Sequence, residues 1–183
     1  MHWALDPSIS PAVHCASAKR LEAARVLLRN GAEHDIFTTA AIGEADRLEE
    51  KLKADPAALQ RTASRGATLL HWAAAWGNRD AVRLLVSRGI SVEARDELGY
   101  TAVHAAAAGG QVPVLEMLSA MGANLDAKTR DGRTALHVAA GRGSTNTIEY
   151  LIASGVDPLA EDETGRTALH WAAGPRAGRV RTA

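Results

Sequence analysis

The sequence has almost no cysteine and few aromatic residues. Cys15 is the single cysteine among 183 residues, which excludes a disulfide within the chain and a cysteine-based zinc cluster. We expect from this a reducing compartment, the cytoplasm. Phe, Trp and Tyr together make up 4% of the residues, whereas apolar residues as a whole make up 46%. The core must therefore consist of small aliphatic side chains that allow close packing.

Excess charge and long apolar segments are also missing. Basic and acidic residues number 21 each, and this balance disfavours nucleic acid as a ligand. No apolar run approaches the ~18 residues that a membrane-spanning helix needs. Residues 1–11 contain Asp6 and two prolines where a signal peptide would have an apolar segment. The sequence predicts a soluble, cytoplasmic protein without a membrane segment.

What the sequence does contain is a fixed period of 33 residues. Four histidines follow this period, and each closes a tetrapeptide that begins with threonine. The pairs are Thr68 and His71, Thr101 and His104, Thr134 and His137, and Thr167 and His170. A period of this size is typical of stacked repeats, in which each unit contacts only its neighbours. Such arrays work through an extended surface, which argues against a single deep catalytic site.

Residues 99–131 show how one unit is built. Thr101 is a good N-cap for the alanine-rich helix that follows it, and two consecutive glycines end that helix. Pro113 fits the first turn of a second helix with apolar side chains at helical spacing, and Gly122 ends it. Helices this short are marginally stable alone. Each unit must therefore be stabilised by packing against the next.

This pattern resembles the ankyrin repeat. The resemblance lies in the Thr-x-x-His box, the paired alanines after it, the glycine six residues past the histidine, the Leu-Leu pair and the second glycine, and it covers residues 66–164 most closely. It implies an all-α solenoid of antiparallel helix pairs with projecting hairpin loops. We divide residues 1–174 into a single array with units at about 8–33, 34–65, 66–98, 99–131, 132–164 and a half unit at 165–174.

The two ends of the array depart from the pattern. In the unit at 34–65, Phe37 takes the histidine position, and Asp55-Pro56 ends the helix at 46–54 in place of glycine. The last unit has only a first helix, which Gly174-Pro175 interrupts. We expect the basic tail at 175–183 to be disordered and the helix before it to fray.

The histidines do not suit a metal site or catalysis. Equivalent residues of stacked helices lie about 8–10 Å apart, whereas two nitrogens on one zinc ion must lie within roughly 3.5 Å of each other. We predict a structural role for all four threonine–histidine pairs, in which each imidazole hydrogen-bonds its threonine or a neighbouring loop. His14 and Cys15 point about 100° apart on a helix and form no dyad. We therefore expect no metal, no cofactor and no enzymatic activity.

The resemblance also implies where a partner binds, because ankyrin repeats contact their partners with the hairpin tips and the outward side of the first helices. The matching candidates are Arg65, Trp76, Leu98, Tyr100, Arg130, Asp131, Arg133, Arg142 and Arg166. Trp76 is far larger than its repeat equivalents Gly109 and Arg142, so it is either a binding hot spot or a filler of the groove beside them. Trp72 and Trp171, inside the boxes, are expected in the core.

These observations predict a non-enzymatic scaffold that binds a protein partner through its concave hairpin and first-helix surface. The partner would carry an acidic patch opposite the arginines, and the chain would be monomeric on its own. An alternative stays open: the chain could be a fragment or regulatory module of a larger ankyrin-repeat protein, itself an enzyme or not. The incomplete last unit favours that alternative.

Overall fold

A computed structural model describes Val26, Asn30 and residues 35–174. Apart from Val26 and Asn30, the predicted unit at 8–33, with His14 and Cys15, lies outside the described residues, as does the predicted tail at 175–183. Between residues 35 and 174 the chain is helical, and its one β-type contact there is an isolated bridge between Thr62 and Thr68. The all-α prediction is therefore confirmed.

The helices follow one another in pairs joined by short turns. The pairs are α1 (Ile36–Ile42) with α2 (Ala45–Ala54), α3 (Leu69–Ala75) with α4 (Arg79–Ser87), α5 (Ala102–Gly109) with α6 (Val112–Ala120), and α7 (Ala135–Arg142) with α8 (Thr145–Ala153); α9 (Ala168–Ala172) follows them. Two short 3₁₀ segments, Pro56–Gln60 and Ser64–Gly66, connect α2 to the next unit. Proline at position 56 ends α2 at Ala54 because the residue before proline disfavours the helical conformation.

Local chemistry explains where the first helices begin. Helices α3, α5, α7 and α9 each start directly after the threonine of a Thr-x-x-His box. The threonine side chain accepts the backbone N–H of the histidine, and the histidine ring accepts the backbone N–H of the threonine, so two N–H groups of the first turn are satisfied. Helix α1 lacks the box and uses Asp35, whose Oδ1 accepts the Thr38 N–H at 2.7 Å.

The units stack so that first helices pack on first helices and second helices on second helices. The contacts run from α1 through α3, α5 and α7 to α9, and from α2 through α4 and α6 to α8. One continuous apolar core lies between the two rows. A glycine allows the close spacing at one point: at Gly109 the helices α3 and α5 approach so closely that an added Cβ would clash with the Ala75 carbonyl oxygen.

The hairpins between units are joined to each other by backbone hydrogen bonds. The bonds run from the Glu97 N–H to the Arg65 oxygen (2.8 Å), from the Arg130 N–H to the Leu98 oxygen (2.9 Å) and from the Glu163 N–H to the Asp131 oxygen (3.1 Å). Gly132 permits this approach, because it has φ 77° and an added Cβ would lie 2.8 Å from the Glu163 nitrogen. The loops therefore form a continuous row with little freedom to move separately.

Candidate functional site

The box histidines connect each unit to the next hairpin. In each box the histidine Nδ1 accepts the threonine N–H at 3.1 to 3.2 Å. The Nε2 atoms of three of them contact a carbonyl oxygen of the following hairpin: His71 to Tyr100 at 2.9 Å, His104 to Arg133 at 3.1 Å and His137 to Arg166 at 3.0 Å. Because Nδ1 accepts an N–H, the proton lies on Nε2, which donates to the carbonyl.

Burial favours the neutral form of two of these imidazoles. It lowers the pKa of His71, and it lowers the pKa of His104 to about 4, although the hydrogen bond to the Arg133 backbone opposes this effect. In His71, His104 and His137 both ring nitrogens contact protein atoms. Between residues 35 and 174 no three side chains of the metal-binding types come together. The contacts of His71, His104 and His137 therefore join successive units.

The predicted partner-binding residues differ in accessibility. Five of them are exposed: Arg65, Leu98, Arg130, Asp131 and Arg142. Three are partly buried: Tyr100, Arg133 and Arg166. Arg65 is held at φ 59°, which a residue with a side chain rarely adopts. Its carbonyl is the one that accepts the Glu97 N–H, so the strain lies at the start of the hairpin row.

Trp76 is buried, and its position corrects the expectation of an accessible aromatic contact. Only 8% of its surface is exposed, and it belongs to the continuous core. Ile42, the equivalent residue of the preceding unit, is also buried, and the next unit approaches closely at Gly109. Of the two roles that the sequence left open, this environment favours packing. Little of the indole is available to a partner.

A row of arginine and aromatic side chains lies along the later hairpins. The Arg133 guanidinium carbon is 5.5 Å from the centre of the Tyr100 ring and 5.0 Å from that of the Trp171 ring. The Arg166 guanidinium carbon is 4.8 Å from the Trp171 ring. All three distances are within the ~6 Å range of cation–π contacts. With Arg142, whose charge acts on Tyr100, we call these five residues the arginine–aromatic strip.

The position of Trp171 in the strip differs from the position that the sequence pattern predicts. It was expected in the core like Trp72, which is fully buried, but Trp171 is partly exposed. Its ring lies against Gly141, where an added Cβ would be 3.4 Å from Cε3, and its Nε1 donates to Asp162 at 2.9 Å. The sequence does contain a signal for this arrangement. Arg133 and Arg166 occupy the same position of two successive hairpins, so one neighbouring aromatic ring can contact both.

The charges of the strip are fixed by their neighbours. Burial raises the pKa of Tyr100, although the Arg133 and Arg142 charges oppose it, so the phenol is neutral. Burial alone would raise the pKa of Asp131, but hydrogen bonds from Arg133 and Thr129 outweigh it and lower the pKa. Asp131 contacts Arg133 at 2.6 Å.

Asp162 lies beneath the strip as a buried anion. Burial would raise its pKa, but hydrogen bonds from Thr164, the Trp171 indole and the Arg166 N–H hold the pKa well below its usual range. Both carboxylate oxygens are used within the protein: Oδ1 accepts from Thr164 and Arg166, and Oδ2 accepts from Trp171. Asp162 therefore orients the indole and the hairpin and offers no free oxygen.

Comparison with known proteins agrees with this architecture. A family model described as ankyrin repeats, three copies, matches residues 36–129 and 122–179. The chain belongs to the ankyrin-repeat family. Ankyrin repeats generally mediate protein–protein interaction. Within residues 35–174, no ankyrin helix has the length and apolar character to cross a bilayer.

Two curated relatives resemble one part of the array. The 26S proteasome non-ATPase regulatory subunit 10 of Mus musculus is 34% identical over 65 residues, which is 36% of this chain and 28% of the relative. The subunit of the same name from Rattus norvegicus is 34% identical over 58 residues, 32% of this chain and 25% of the relative. The chain thus spans about a quarter of the length of these relatives.

Proposed function

We propose that this ankyrin-repeat chain is a non-enzymatic scaffold that binds a protein partner through its hairpins and the adjacent side of its first helices. The observation that carries the proposal is the row of backbone hydrogen bonds between successive hairpins. A surface that is already ordered loses little conformational entropy on binding and changes little in shape. Side chains on such a surface can vary without disturbing the stack beneath it.

The residues proposed for contact are chosen from those whose side chains reach solvent along this row or on the adjacent side of the first helices. They are Arg65, Leu98, Tyr100, Arg130, Asp131, Arg133, Arg142, Arg166 and Trp171. Trp76 is left out because it is buried. Leu98, with 38% of its surface exposed, supplies apolar area at the tip of its hairpin, and the arginines supply planar hydrogen-bond donors of the kind enriched at hot spots.

A second candidate function is that of a regulatory module within a larger assembly. The two relatives, each named as a regulatory subunit of the 26S proteasome, favour it. The two candidates share the same binding surface and differ in the partner. Identification of the captured proteins separates them, because a module of that kind would retain subunits of a stable complex.

Affinity capture from a cell extract tests the proposed surface. The bait carries Arg130→Glu, a charge reversal on an exposed hairpin residue. The matched control carries Arg83→Glu, the same reversal on the exposed side of α4. We expect the unchanged protein and the α4 variant to retain the same proteins and the hairpin variant to lose them. Equal retention by all three baits would contradict the proposal.

A further inference from the structure

We propose that the arginine–aromatic strip is the specificity-determining part of this surface and that it binds an acidic protein segment, whose carboxylates pair with Arg142, Arg133 and Arg166. The inference rests on the proposed function and adds the chemistry of the partner. Three observations on the strip carry it: where the arginines lie along the array, how the Arg133 and Arg166 side chains are held, and which described carboxylates contact Arg133 and Arg166.

At two surface positions of the repeat, arginine appears only in the later of the described units. The residue after the hairpin glycine changes along the array, in the order Ala67, Tyr100, Arg133 and Arg166. The residue at the end of the first helix also changes, in the order Ile42, Trp76, Gly109 and Arg142. In the earlier units these positions are small, apolar or buried. At these two positions arginine is therefore confined to the last two described units, at Arg133, Arg142 and Arg166.

The guanidinium groups are held in place by aromatic rings. Arg133 lies between Tyr100 and Trp171, and Arg166 lies over Trp171. The indole in turn is fixed by its hydrogen bond to Asp162. A stacked guanidinium keeps the planar donor edge that a carboxylate recognises. Because the side chains are already ordered, an acidic partner gains these contacts at a smaller entropic cost than it would with free arginines.

The protein's own carboxylates leave part of this charge unmatched. Among the residues that the structure describes, no carboxylate pairs with the Arg166 guanidinium, whose hydrogen bond goes to the His170 carbonyl at 3.4 Å. Asp162 is nearby, but both its oxygens are already used. Asp131 does pair with Arg133. We infer that Asp131 holds the place that a partner's carboxylate would take, and therefore competes with it.

Carboxylates suit the strip better than a phosphate backbone. Glu97 and Glu163 are exposed on the same row of hairpins, and Asp131 lies among the arginines. Evenly spaced phosphates cannot avoid these anions, whereas a protein segment can place single carboxylates opposite the arginines and neutral residues elsewhere. The zero net charge of the chain is consistent with local recognition of this kind.

The test uses the full chain and a fluorescein-labelled peptide of glutamate, glycine and serine, with a glutamine version of the same peptide as the uncharged probe. Binding is followed by fluorescence anisotropy at low ionic strength, where exposed charges act over the longest distance. We expect Arg142→Gln and Arg166→Gln each to weaken binding of the glutamate peptide by about tenfold. Arg83→Gln removes the same charge from α4 and should change it less than about twofold.

A variant that strengthens binding gives the sharper test, because misfolding cannot produce it. Asp131→Asn removes the carboxylate that competes for Arg133 and keeps an oxygen for the Thr129 hydroxyl. We expect this variant to bind the glutamate peptide several-fold more tightly. Asp80→Asn makes the same change in the Arg83 pair of α4 and should leave the affinity unchanged.

Four results would overturn the inference. They are equal weakening by Arg83→Gln and Arg166→Gln, no gain with Asp131→Asn, equal binding of the glutamine peptide, and tighter binding of a DNA duplex than of the glutamate peptide at the same salt. Far-UV circular dichroism confirms that each variant is folded. If capture from extract still depends on Arg130 while the peptide results fail, the scaffold function stands and the acidic partner does not.

Discussion

At the scale of single residues, each of the buried box histidines forms hydrogen bonds to two separate parts of the chain. His104 completes the first turn of α5 through Nδ1 and reaches the next hairpin at Arg133 through Nε2. The imidazole can do this because its two nitrogens lie on opposite sides of a rigid ring and, when neutral, one accepts while the other donates. Protonation of Nδ1 would end its role as an acceptor, so the same geometry makes the link sensitive to acid.

The first prediction concerns this sensitivity. Burial holds the pKa of His104 at about 4, below the ordinary 6.5, so between these values the unfolded chain binds the proton more readily. The histidine therefore stabilises the fold fully above pH 6.5 and loses this contribution as pH falls towards 4. His104→Gln should lower the free energy of unfolding at pH 7 by on the order of 2 kcal/mol, because buried hydrogen bonds are lost. It should also flatten the decrease of this free energy below pH 6.5.

Urea unfolding at pH 7 and at pH 4.5 measures both effects. His170→Gln is the matched control, since His170 keeps the contacts with Thr167 but is partly exposed. We expect the control to cost about 1 kcal/mol or less at pH 7. If the His104 and His170 variants lose equal stability, the contact with the next hairpin contributes nothing.

At the scale of elements, the helices could be predicted from the sequence because their boundaries depend on local chemistry. Thr101 as an N-cap and the prolines near helix ends act within one turn, so α5 begins after Thr101, and α2 ends at Ala54 before Pro56. The strip could not be predicted in this way. Trp72 and Trp171 occupy the same box position, yet one meets Phe37 and the other meets Arg133. Which neighbour a side chain meets is decided by the adjacent unit.

Trp76 illustrates the same limit. The difference between this large aromatic side chain and its repeat equivalents Gly109 and Arg142 shows that the position is unusual. Size alone does not distinguish a side chain that fills a buried groove from one that contacts a partner. The decision depends on how closely the next first helix approaches, and that distance follows from small residues on both helices. Local pattern therefore identifies the unusual position, and only the packing of two units assigns its role.

The prediction at this scale separates the energetic cost of disturbing the contact between hairpins from the cost of an unfavourable backbone φ. Gly132 and Gly165 are equivalent, with φ 77° and 73°, but an added Cβ would meet the Glu163 nitrogen at Gly132 and nothing within 4 Å at Gly165. Gly165→Ala should cost about 1 kcal/mol from the unfavourable φ. Gly132→Ala should cost about 1–3 kcal/mol more, because the neighbouring hairpin must move. Thermal unfolding of the two variants compares them, and equal midpoints would argue against a tight hairpin row.

At the scale of the whole molecule, stability differs between the interior and the last described helix. Leu136 and Leu169 occupy the same position of the repeat, but 2% of Leu136 is exposed against 76% of Leu169. In a linear array each unit gains stability from its neighbours. Leu136 is covered by the next unit, whereas no described element covers Leu169, so the last helix rests on one neighbour alone.

The corresponding prediction uses one substitution at two places. Leu136→Ala should lower the free energy of unfolding by about 2–5 kcal/mol, since it leaves a cavity between units. Leu169→Ala should change it by about 0.5 kcal/mol or less, as a surface substitution does. Urea unfolding gives both values. A large loss with Leu169→Ala would mean that this side chain is covered in solution.

The offset between each histidine and its carbonyl also governs how an array of this kind can change length in evolution. The bond spans 29 residues in three successive units. Duplication or deletion of one whole 33-residue block joins every histidine to a carbonyl at the same offset and leaves all bonds intact. An insertion of another size between the two partners loses the bond unless the extra residues loop out. Genes encoding such arrays should therefore lengthen and shorten in whole repeats, while small insertions accumulate at the hairpin tips.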